Sequence, residues 1–212
     1  MKKENATKYI ITALGIIAAA LLGRLVGYVS ASMLNNVTSG TAKDAKDCTE
    51  QFLAMMTDGN DDFLNGYKKG IDELVNEYGV DWEVADRYGS SLLKVISKIK
   101  YTVMDPVETA DKEYDVTINY EPILDPTTVG GYADLYAEKI SEIDFNLLEE
   151  SEQYTKMFLI LADILEEYSN NLSYGKQKSV TVHYCKQPDG SYGLSEDDGF
   201  LIGQEFGTFV QE

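Results

Sequence analysis

Histidine occurs once in this sequence of 212 residues, tryptophan once and cysteine twice. A single imidazole, His183, excludes any metal cage or catalytic pair that needs two. By strand alternation His183 faces away from Val182 and Tyr184, as an ordinary surface histidine does, rather than serving as a general base. No phosphate-binding glycine loop, catalytic signature or zinc spacing is present. Among the many acids no pair stands out for proton transfer. Asp58, Asn60 and Asp62 begin a calcium-loop pattern, but Phe63 stands where that loop needs glycine and Lys69 where it needs a bidentate glutamate. The residues name no cofactor, and catalysis is the minority reading.

The two cysteines, Cys48 and Cys185, are the one candidate disulfide. Their patterns disagree. Cys48 lies on the apolar stripe of a helix, whereas Cys185 alternates onto the strand face opposite Val182 and Tyr184, away from disulfide geometry.

Basic charge is scarce as well, with 18 lysines and arginines against 36 acids. Lys2, Lys3, Lys8 and Arg24 fall within the first 35 residues beside one acid, Glu4, so the remainder holds 14 bases and 35 acids. Such a surface repels phosphate backbones, which excludes nucleic acid and leaves cations, basic peptides or a basic envelope protein as compatible partners. Keeping the domain in solution is the plainer use of the same charge.

One long hydrophobic run is present, Tyr9 to Leu34, preceded by three lysines. As a helix it would reach about 39 Å, enough for a hydrocarbon core of about 30 Å, provided that Arg24 snorkels to the headgroups. The expectation is a single-pass membrane anchor with the N-terminus inside and the domain outside. A cleaved secretory signal, cut near Ala31 in Val29-Ser30-Ala31, is the rival. No cysteine follows the run to take a lipid. Gly15, Ala19, Gly23, Gly27 and Ala31 recur every four residues and form a small-residue stripe through which two anchors could self-associate. The chain thus divides into a cytoplasmic basic flank (1–8), the anchor or signal (9–34), a polar linker (35–40) and one extracytoplasmic α+β domain (41–212).

Within the domain, Thr41 with Asp44 reads as a helix cap, and Ala45, Cys48, Phe52 and Met56 share one helix face. A second helix runs from about Asp62 to Tyr78, and a third from about Asp81 to Ser97, with Trp82 packed at its start. The period then falls to two: Ile99, Tyr101 and Val103 form one strand, and Tyr114, Val116, Ile118 and Tyr120 another. From Tyr136 to Leu172 apolar residues recur every 3.6 positions. A continuous helix there would be about 55 Å long, so a break is expected near Glu149 to Glu152. Val180, Val182 and Tyr184, a turn at Pro188-Asp189-Gly190, then Tyr192 and Leu194 make a hairpin, and Glu196 to Val210 caps an open edge. The tyrosines lie on buried stripes, which explains them before any carbohydrate platform does.

Helices first, two strands, a helical insertion and a closing hairpin around KQPDGSYGLS followed by EDDGFL resemble the exported, membrane-bound Gram-positive proteins with the nuclear-transport-factor-like (cystatin-like) cone fold. The resemblance covers roughly Thr41 to Gly207 and departs from those proteins in lacking the lipid-bearing cysteine. It implies a curved antiparallel sheet with helices on its concave side. The functional expectation is a membrane-anchored binding or scaffolding module. The alternatives are a small-ligand carrier or cone-fold enzyme with a pocket carboxylate, and a structural or sensory subunit that pairs through its anchor.

Overall fold

The computed structural model of the protein describes residues 40–58, 61–187, 190–207 and 209–210. The domain begins on a reciprocal cap: Thr41 Oγ1 accepts from the Asp44 N–H at 3.2 Å, and Asp44 Oδ2 accepts from the Thr41 N–H at 3.1 Å. Both bonds satisfy donors that the first helical turn leaves open. Helix α1 (Ala42–Asp58) buries Ala45, Phe52, Leu53 and Met56, the face that the spacing predicts. Helices α2 (Asp61–Tyr78) and α3 (Trp82–Ile96) follow, the latter capped by Asp81, which accepts from the N–H groups of Glu83 and Val84. Trp82 does not pack as expected. It is 52% exposed and donates its indole N–H to Asp72 at 3.3 Å.

Five antiparallel strands form one sheet in the order β1-β3-β4-β5, with β2 also paired to β3. They are β1 (Lys100–Val103), β2 (Val107–Ala110), β3 (Glu113–Glu121), β4 (Lys178–Lys186) and β5 (Tyr192–Leu194). β4 takes one edge of β3 from Tyr114 to Tyr120, so β1 and β2 share the other edge in succession. Sequence reading missed β2 because its four residues are all exposed and carry no alternation. Its register shifts between Glu108 and Ala110, an irregularity of the kind that bends a strand.

Between β3 and β4 lie α4 (Gly130–Ser141), a 3-10 turn (Phe145–Leu147) and α5 (Glu150–Tyr168). The long apolar stripe does break, but upstream of the expected Glu149 to Glu152: the interruption occupies residues 142–149, and Glu150 to Glu152 already form the first turn of α5. Leu147, a member of the predicted stripe, is 80% exposed in that break. Gln153 holds the connection in place by donating to the carbonyls of Phe145 and Leu148 at 3.1 and 3.0 Å.

Val116, Ile118 and Tyr120 of β3 and Val180, Val182 and Tyr184 of β4 point inward and join Phe52, Tyr88, Phe158 and Leu165 in one core. The result is an α+β, cone-like domain with a curled antiparallel sheet and helices against its inner face. Helix α6 (Glu196–Gly207) packs along β4. Where β5 ends at Leu194, Asp198 takes over the open edge by accepting from the His183 N–H at 3.1 Å.

The expectation of a transmembrane helix is corrected. Among the described residues no helix is long and apolar enough to cross a membrane. Even the 19-residue α5 carries Glu150, Glu152, Lys156, Asp163, Glu166 and Glu167, charges that a bilayer core does not accept. The run 9–34, with Arg24 and the stripe Gly15, Ala19, Gly23, Gly27 and Ala31, lies outside the described residues. The signal-anchor, the single-pass topology and the membrane as partner therefore drop out of the functional account.

Candidate functional site

Three polar regions on the domain differ in how completely their charges are matched. The first is the groove between α3 and α5. Arg87 donates Nε to Glu166 Oε1 at 3.0 Å and Nη2 to Glu166 Oε2 at 2.9 Å and to Asp163 Oδ1 at 2.7 Å. Lys139 of α4 reaches the other oxygen of Asp163 at 3.2 Å, so one network ties three helices. The Arg87 hydrogen bonds hold the Glu166 carboxyl below its ordinary range. A forked guanidinium with both carboxylates engaged is a structural clamp with little left to offer a ligand.

The second region is the outer face of the sheet. His183 Nδ1 lies 2.9 Å from Asp115 Oδ1, and His183 Nε2 lies 3.7 Å from Glu113 Oε2. Thr117 faces Thr181 at 3.1 Å, and Ser179 donates to Asn119 at 2.7 Å. His183 is thus on the outward face, as alternation predicts, and is bound to carboxylates there. No His, Cys, Asp or Glu group among the described residues is arranged to hold a metal ion.

Cys48 of α1, packed against the core, and Cys185 of β4 stand as free thiols. Burial raises the Cys48 thiol, opposed by a backbone hydrogen bond with Leu194. Cys185 is raised first by burial and then by the charges of Glu113 and Asp198. Both shifts lower the thiolate fraction, so neither residue is a primed nucleophile.

The third region is a cleft of 520 Å³ where the end of α2 meets the start of α5, lined by Glu77, Tyr78, Glu149, Glu150, Ser151 and Tyr154. Among the described residues no lysine or arginine lines it. Tyr78 and Tyr154 meet edge to face with ring centroids 5.0 Å apart, an arrangement that the ring quadrupoles favour. Two local features fix the walls. Gly79 ends α2 with φ +64, and an added Cβ there would come within 3.1 Å of the Ser151 Cβ, so glycine permits both the turn and the close approach. On the other wall, Glu152 accepts from the Glu149 N–H at 3.1 Å, while acids in the first turn of α5 suit the positive end of its dipole. Aromatic faces beside carboxylates form an environment for an ammonium or guanidinium group.

Sequence reading placed Tyr78 and Tyr154 on apolar stripes and gave neither a binding role. The available signal was acids beside both stripe tyrosines, at Glu77 and at Glu149 to Glu152. That these two ends meet was not legible. Arg87, Asp163 and Glu166 were likewise missed, because their partners lie more than 70 residues apart.

Fold and clefts together define an acidic α+β cone-like domain with an aromatic and carboxylate-lined cleft. A similar chain path is found in a candidate lipoprotein of Bacillus subtilis, at a TM-score of 0.52 and 14% identity, with 80% of this chain and 56% of that one covered. The chain therefore spans a little over half the length of that protein, and likeness of this degree concerns the fold alone. No family model matches the sequence, and no curated protein matches it.

Proposed function

We propose that the domain is a binding module that captures cationic groups, such as the amines of a basic peptide or polyamine, in the cleft between α2 and α5. The observation that carries this reading is the edge-to-face pair of Tyr78 and Tyr154 beside Glu149 and Glu150 in one cleft, whose lining among the described residues includes no lysine or arginine. An excess of acids over bases in the chain adds long-range attraction for a cation and speeds its encounter.

Calorimetric titration with spermine and with tetralysine tests the reading. Binding should weaken as salt rises, since exposed charges are screened within about 10 Å at 0.1 M salt. Tyr154→Ala should reduce affinity about fivefold, the equivalent of one exposed cation–π contact of about 1 kcal/mol. Equal affinities for the wild type, Tyr154→Ala and Glu150→Gln would show that the cleft is not the site.

A further inference from the structure

The cleft between α2 and α5 offers a cation one unengaged carboxylate rather than several. Glu149 and Glu152 open α5 as the two members of a capping box, with the Glu149 N–H donating to Glu152 at 3.1 Å. Glu77 is engaged within the domain as well. Glu150 is exposed and lines the cleft, and its carboxylate has no hydrogen bond or ion pair among the described residues. Both of its oxygens are therefore open to a ligand. Beside it, Tyr78 and Tyr154 are half-buried and stand at 63° to each other with centroids 5.0 Å apart. The edge of one ring meets the face of the other, which leaves flat ring surface along the cleft that both tyrosines line.

Ammonium and guanidinium groups use these two features differently. An ammonium is a compact, strongly hydrated charge on a flexible stem, whereas a guanidinium is planar, more weakly hydrated, stacks on aromatic faces and presents its N–H donors as a fork that matches both oxygens of one carboxylate. The same fork occurs elsewhere in this domain, where Arg87 Nε and Nη2 engage the two Glu166 oxygens at 3.0 and 2.9 Å. A single open carboxylate beside flat rings complements a fork with a flat back. The positive end of the α5 dipole, equivalent to about half a charge, opposes any cation here. The carboxylates of Glu149 and Glu150 on the same wall exceed it.

We propose that the cleft is an arginine-selective site, which holds one guanidinium group of a peptide forked onto Glu150 and stacked against the tyrosine pair, in preference to the ammonium of lysine or of a polyamine. The inference rests on the cation-capturing reading of the same cleft and narrows it to one chemical class. The cleft volume of 520 Å³ falls within the range of small-ligand pockets, roughly 300–1,000 Å³.

Calorimetric titration of the full chain with tetraarginine and with tetralysine, both acetylated and amidated, tests the inference, because the two peptides carry equal charge and differ chiefly in head group. Tetraarginine should bind about fivefold more tightly, the equivalent of about 1 kcal/mol. Glu150→Gln should abolish that preference, and Tyr154→Leu should weaken tetraarginine more than tetralysine. Equal wild-type affinities, or a preference that survives Glu150→Gln, would overturn the arginine selectivity. In either case a loss of affinity in Tyr154→Ala leaves the broader cation reading standing. Binding of neither peptide would overturn both. If Tyr154→Leu does not fold, the comparison of the wild type with Glu150→Gln decides alone.

Discussion

The two ends of α5 use the same kind of residue for opposite purposes. Toward its C-terminus, Asp163 and Glu166 are engaged by Arg87 and Lys139, and their charge holds α3, α4 and α5 together. At its N-terminus, Glu149 and Glu150 border a cleft beside Tyr154 that no cationic side chain among the described residues lines. Carboxylates on one helix thus become a clamp or a receptor according to whether a neighbouring element supplies a cation. The acidic composition alone does not distinguish the two.

The largest effect is expected from a residue that serves both ends. Phe158 is fully buried in the middle of α5, against Tyr88 at 4.8 Å between ring centroids. Phe158→Ala should cost about 3–5 kcal/mol of stability and disable clamp and cleft together, as read by denaturant unfolding and spermine titration. Arg87→Ala should cost less, about 1–2 kcal/mol for a half-exposed network, and should leave cation binding at the other end intact. Loss of binding in that variant would join the two regions that the comparison separates.

Acidification sharpens the contrast further. Because Glu166 has a depressed pKa in the folded state, its contribution is complete above the ordinary glutamate range and is lost as pH falls through the folded value. Glu166→Gln should therefore flatten the acid limb of the stability curve, by under about 1 kcal/mol after solvent screening. The smallest effect belongs to Glu150→Gln, which should change stability by no more than about 0.5 kcal/mol while weakening spermine binding. A stability loss as large as that of Arg87→Ala would make Glu150 a second clamp residue rather than a ligand-facing one.

Much of the framework was legible because it depends on local periodicity. The α1 face and the inward residues of β3 and β4 rest on side-chain spacing of 3.6 or 2, the Thr41 and Asp44 cap on residue types three apart, and the break in the Tyr136 to Leu172 stripe on the length that a continuous helix would have. Failures occurred where spacing carries no information. β2 is exposed along its length. Trp82 is apolar in type but lies at a helix start facing solvent, and Leu147 keeps the stripe's spacing in a segment that has left the helix. The transmembrane reading rested on hydropathy in residues 9–34, and no helix among the described residues supports it.

By itself the sequence determined the charge, the helix and strand periods and the inward faces, since each follows from a residue and its near neighbours in the chain. Only the tertiary structure decided which acids became a clamp and which line a cleft. Tyr78 meets Tyr154, and Arg87 meets Glu166, across more than 70 residues of chain. Those meetings are fixed by how the apolar faces of α2, α3 and α5 pack against one another, and spacing within any one helix does not record that packing.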